Sequence, residues 1–239
     1  MHVRNYSSAK TLSMVAAVIS SLLLLYIAFM LVNNMMLMLH PEKWTAYFNN
    51  RKGTILNLDD PVLFPRYLHF VTASIAVAGL FSAIIWYYRM KKGREGAQEK
   101  IENGLKIFAI ATMIQIIVGF WFFIAIPSKI RMYFMGDTIL YTLVLLAGII
   151  LAIASLMTAF LKKLIPTVAL LLRTVLVMVV NRAFIRAAYT EEFFSLSSLE
   201  VAPQYSVLVL FFLVFVVGIF IVRYILNAAW IVTEGRDAR

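Results

Sequence analysis

The chain has 239 residues, of which 62% are hydrophobic and 14% charged, with a formal net charge of +10 and no cysteine. Soluble domains carry about 25% charged residues, so a water-soluble globule is excluded as the main architecture and lipid is the expected solvent. The missing thiols exclude disulfides, cysteine-ligated zinc, iron–sulfur clusters and a covalently attached c-type haem on this chain.

Six apolar segments follow one another, each long enough to cross a hydrocarbon core of about 30 Å. They run Thr11 to Leu39, Tyr67 to Tyr88, Ile107 to Ile126, Thr138 to Leu161, Leu164 to Val180 and Tyr205 to Val232. The expected fold is all-α, a single polytopic transmembrane bundle. The first run is too long for the apolar region of a signal peptide and reads as a span. Between the first and second, Trp44, Tyr47 and Phe48 are spaced as on a short interfacial helix, a turn is expected at Arg51 to Gly53, and Asp60-Pro61 and Phe64-Pro65 predict an extended approach to the second span. The densest basic segment, Arg89 to Lys106, lies between the second and third spans. Basic loops stay on the cytoplasmic side, so both termini are placed in the cytoplasm. The same distribution assigns the positive charge to helix ends touching lipid headgroups and excludes nucleic acid as a partner. Only Lys162 and Lys163, with Pro166 close behind, separate the fourth and fifth spans, which implies a tight helical hairpin. The segment Arg186 to Ser206 mixes aromatics with acids and brings Pro203 to the start of the sixth span.

Ionisable residues within spans are expensive, so each is a candidate for function. His40 closes the first span and His69 opens the second at a similar expected depth. Two imidazoles so placed can serve as axial ligands of a b-type haem; the alternative is a helix-capping His40 and a hydrogen-bonded His69. Among twelve methionines, Met35, Met36 and Met38 at the outer end of the first span and Met178 near that of the fifth are candidate second axial ligands, Met178 being preferred because it shares a helix face with Arg182. Arg66, Arg173 and Arg182 suit haem propionates or a quinone headgroup, guanidinium being planar and permanently charged. Headgroup snorkelling explains outer-edge arginines equally well but explains Arg173, near mid-span, poorly. Gln115 and Asn227 read as side chains that lock helices together, and Arg223 as one that snorkels. No phosphate-binding glycine loop and no His–carboxylate metal motif occurs in the sequence.

The stretch DPVLFPRYLHFVTASIAVAGLFSAIIWYYRMKKGR, Asp60 to Arg94, resembles part of the membrane subunit I of cytochrome bd quinol oxidases. A proline-containing loop leads into an aromatic-rich helix start bearing the histidine, followed by small residues and a basic exit. The resemblance implies that His69 ligates a low-spin b haem from the outer side. It covers about a sixth of the chain, and the first span has no histidine before His40, so oxygen reduction by this chain alone is not implied. GFWFFIAIP, Gly119 to Pro127, and VAPQYSVLVLFF, Val201 to Phe212, are similar to bd-like haem b subunits. Such subunits sit in the bacterial cytoplasmic membrane with other membrane subunits and a periplasmic multihaem cytochrome c. The function so implied is electron relay between quinol and that cytochrome. A cofactor-free subunit anchoring a periplasmic redox protein is the rival; a small-solute transporter is the third reading, disfavoured by the lack of inverted-repeat symmetry.

Overall fold

The computed structural model describes residues 2–50, 52, 55–193 and 203–237, with the side chains of residues 2–9, 47 and 226–237 left aside. The elements are His2–Leu37 (α1), a 3-10 turn at Pro41–Lys43, Thr45–Asn49 (α2), Leu63–Lys91 (α3), Ala97–Ala125 (α4), Ser128–Met132 (α5), a π turn at Tyr133–Asp137, Ile139–Phe160 (α6), Leu164–Thr190 (α7) and Tyr205–Asp237 (α8). There is no strand among the described residues. Six helices, α1, α3, α4, α6, α7 and α8, are long and apolar enough to cross a membrane. The chain is therefore an all-α polytopic membrane protein. It divides into two compact units, Met1–Ser195 and Leu196–Arg239, where composition alone predicts one domain.

In the first unit α3 and α4 form the closest pair. A Cβ on Gly104 would lie 2.6 Å from the Gly79 carbonyl oxygen, and one on Gly79 2.9 Å from that of Gly104. Only glycine on both helices lets the backbones approach this far, and dispersion between close-packed helices is what replaces the hydrophobic effect in lipid. Around this crossing Ala76, Leu80, Ala83, Ile101, Leu105 and Phe108 form one buried cluster, joined by Ala159 and Leu164 at the α6–α7 hairpin. A second cluster, with Val32, Met36, Leu63, Ile126, Phe134 and Tyr189, closes the opposite end, where His40 lies. We call these the Lys162 end and the His40 end. In the second unit α8 leaves its apolar side chains from Val207 to Ile225 exposed, apart from a half-buried Gly218.

Several helix boundaries differ from the hydropathy reading, among them the start of α1 at His2 and the end of α8 at Asp237, and three of them have a cause in the packing. Helix α4 starts ten residues before Ile107, because Ala97, Ile101, Gly104 and Leu105 bury one face while Glu99, Lys100 and Lys106 stay on the other. Helix α3 starts at Leu63, so the Phe64-Pro65 pair is helical, not extended. Pro65 occupies the first turn, where its missing N–H costs no intrahelical bond. Helix α7 continues to Thr190, ten residues past Val180, held by rings: Phe184 stacks on Tyr141 at 4.2 Å and 6°, and Tyr141 in turn meets Tyr133 and Phe134. The expected hairpin at Lys162 and Lys163 is present, with Lys162 at φ +55. The expected interfacial helix is α2 with the preceding turn, in which Trp44 and Phe48 are exposed. The expected Arg51–Gly53 turn, most of the segment after Phe193, and the side chain of Asn227 lie outside the described residues; Pro203 precedes α8 by two positions.

Candidate functional site

The loop between α1 and α3 is organised by one carboxylate. Asp60 Oδ1 accepts the Val62 N–H at 2.8 Å, fixing the turn that leads into α3. Its Oδ2 accepts the Asn57 amide at 3.0 Å and lies 3.1 Å from His40 Nε2. The other ring nitrogen of His40, Nδ1, is 2.8 Å from Glu42 Oε1. Asn57 is held further by Lys43, whose Nζ donates to its Oδ1 at 2.6 Å, and by Asn33 of α1, which accepts its N–H at 2.7 Å. Burial tends to raise the Glu42 carboxyl, but its own backbone hydrogen bond, the His40 ring and Lys43 outweigh that and leave it below the ordinary carboxylate value. Beside this network a cavity of about 160 Å³ is lined by His40, Lys43, Asp60, Pro127 and Tyr189. The Tyr189 hydroxyl is buried without a hydrogen-bond partner among the described residues, its ring edge-on to His40 at 5.8 Å.

Deeper in the same end, α1, α3 and α7 bring two cations against two thioethers. Arg66 is 8% exposed and its Nη1 donates to Met36 Sδ at 2.9 Å, with the guanidinium 5.8 Å from the Phe122 ring. Arg182 Nη2 lies 3.7 Å from Met35 Sδ. The Arg182 charge acts on Arg66, as do Tyr189 and Asp60 from the opposite sign. Among the described residues no ion pair holds Arg66. A thioether is a weak acceptor, so a buried guanidinium facing it is under-satisfied and suited to an anion.

His69 lies one turn beyond Arg66, at the contact of α3 with α4. Its ring stacks on Phe122 at 6.4 Å. Nε2 is 3.4 Å from Gln115 Nε2, and Nδ1 is buried with no partner among the described residues. A Cβ on Gly119 would come within 3.3 Å of Cε1, so glycine at this position is what admits the imidazole between the helices. Gln115 thus does bridge two helices, through His69.

The expected cluster assembles in part. Arg66, Arg182 and, through Tyr189 and Asp60, His40 share the His40 end. His40 and His69 make no hydrogen bond or ring contact with each other, and both nitrogens of His40 are engaged by carboxylates. Met178 turns away: its Cε would lie 2.7 Å from a Cβ on Gly148, which places it in the α6–α7 contact. Arg173 is exposed and makes no hydrogen bond, ion pair or ring contact with a described residue. On insertion scales a charged side chain at a helix centre costs about 2.5–3.5 kcal/mol. Sequence reading marked Met35 and Met36 as possible haem ligands rather than as acceptors for Arg182 and Arg66, and did not place Asn181, whose Nδ2 donates to the Val144 carbonyl of α6 at 3.2 Å.

For a b-type haem, the residues supply one helix-borne imidazole with an unpartnered Nδ1 and two arginines in the same end of the unit. A second axial side chain facing His69 is not found among the described residues, and neither is any group of three or more metal-ligating His, Asp or Glu. The fit is to one half of a haem site. No family model, no curated protein and no solved structure matches the chain.

Proposed function

We propose that the chain is a membrane subunit of a respiratory electron-transfer complex in the bacterial cytoplasmic membrane, holding one b-type haem near the outer leaflet. It would relay electrons between quinol and an extracytoplasmic cytochrome. The observation that carries this reading is the His69 imidazole, lodged against Gly119 with Nδ1 buried and unpaired. A buried polar atom without a partner costs about 1–3 kcal/mol, and a group that meets it in the assembled complex removes that cost. His69 would be one axial ligand, and Arg66 and Arg182 would neutralise the propionates or orient a quinone headgroup. The opposing ligand would come from a partner subunit, since His40 is tied to Glu42 and Asp60 and Met178 to Gly148. When bound, the haem supplies one-electron chemistry; this chain's part is to position it and set its electrostatic surroundings.

A dithionite-reduced spectrum of the complex purified through this chain tests the proposal. A b-type α band is expected, and it should vanish in His69→Ala while the complex stays assembled. Retention of the band would assign the ligand elsewhere. Absence of any band favours the second reading, a cofactor-free subunit that anchors a periplasmic redox protein. That reading draws support from the closure of His40 by its own loop.

A further inference from the structure

We propose that the face of α7 centred on Arg173 docks a transmembrane helix of a different protein, one carrying an aspartate or glutamate near the bilayer midplane. The inference goes beyond the haem reading and holds with or without it. Arg173 stands nine positions into α7, about 14 Å along the axis from Leu164 at 1.5 Å per residue. To reach headgroups beyond Lys163 its head would have to pass about two and a half turns of α7. Ala169, Leu176 and Val180, at i−4, i+3 and i+7, lie on the same side and are exposed as well. The opposite side of α7, with Thr167, Thr174 and Asn181, is buried. A small residue one turn from the cation, flanked by larger apolar ones, suits close helix–helix approach.

The occupant's chemistry follows from what this chain lacks. Its acidic residues nearest the middle of a span are Glu99 and Glu102, in the first two turns of α4, and Glu102 already accepts from Lys162 Nζ at 2.6 Å. From Tyr205 to Ile225 α8 contains no acidic residue. None of the six spans carries a carboxylate in its central turns, in this chain or in a second copy of it. In hydrocarbon an unpaired guanidinium has no water to turn to, whereas a carboxylate matches it with two parallel N–H···O bonds.

The test places a photo-crosslinking benzoylphenylalanine at Leu176, and for comparison at Ile150, exposed on α6, in the full chain expressed in the organism that encodes it. The Leu176 probe should give a product with one integral membrane protein, mapped to a transmembrane segment with an acid within about one turn of the crosslink. Arg173→Leu should cut that product at least about tenfold, equivalent to 1.4 kcal/mol. Arg173→Lys should retain it, and Arg173→Glu combined with partner acid→Arg should restore it. Leucine favours insertion of α7, so loss in Arg173→Leu is not a folding failure; unchanged thermal unfolding of the purified variant checks this. Crosslinks only to lipid, to another copy of this chain or to a segment without an acid would overturn the proposal. So would no product, or a product undiminished in Arg173→Leu.

Discussion

The carbonyl oxygen of Gly79 occupies the space where Gly104 would carry a side chain, 2.6 Å from the ideal Cβ position. Backbone cannot rotate out of the way as a side-chain tip can, so a methyl group there must force α3 and α4 apart. Gly104→Ala is expected to destabilise the first unit by about 1–3 kcal/mol, the usual cost of overpacking. Gly218→Ala in α8, where nothing lies within 4 Å, should instead be neutral or gain up to about 1 kcal/mol of helix propensity. Thermal unfolding of both variants in one detergent gives the comparison.

Asp60 holds the α1–α3 loop through three acceptor contacts. Asp60→Ala leaves the Val62 N–H unpaired and frees Asn57 and His40 together, a loss of about 1–3 kcal/mol. Hydrogen exchange should quicken at the Val62 and Asn57 amides and leave the centre of α4 unchanged.

Acid should loosen the same loop by a second route. Glu42 is held below its ordinary value of 4.5 in the folded chain. Its contribution is thus full above 4.5 and lost as the pH falls through the lower folded-state value. Loop exchange should accelerate in that window, and Glu42→Gln should remove this part of the pH dependence. An identical pH response in Glu42→Gln would rule the contact out as its source.

Arg66 and Met36 should be coupled. Met36→Leu keeps the volume but leaves the buried guanidinium without its sulfur acceptor, at a cost of about 1–3 kcal/mol. Arg66→Met together with Met36→Leu should recover most of it, because neither side then carries a polar group. A double-mutant cycle in unfolding free energy reads the coupling directly. Strict additivity would mean that the contact contributes nothing.

The spans were legible because a run of twenty or so apolar residues has few other fates, and the hairpin at Lys162 because two lysines interrupt such a run. The helix ends were not. Extending α4 back to Ala97 depends on an amphipathic turn that hydropathy averages away, and extending α7 to Thr190 depends on Tyr141, forty-three positions before Phe184 in the chain. The convergence of Arg66 with Arg182 could be read from their places near span ends. Met178 could not be placed that way. It precedes Arg182 by four residues, yet a four-residue step turns the helix by about 40°, enough to send Met178 to Gly148 while Arg182 reaches Met35. The pairing of Gly79 with Gly104 is a matter of register between two helices, and ten glycines spread along a sequence do not reveal which two will meet.

Helix lengths in the first unit are unequal. At 22 residues α6 rises about 33 Å, while α3 and α4, at 29 residues each, rise about 44 Å. Near the Lys162 end the surplus is the charged start of α4, where Glu102 meets Lys162. Helix α6 therefore sets the bilayer thickness the protein tolerates. A thin membrane leaves the charged turns of α4 standing in water as a spur, and a thick one drags them toward hydrocarbon. Sorting between membranes of different thickness would follow from that inequality alone.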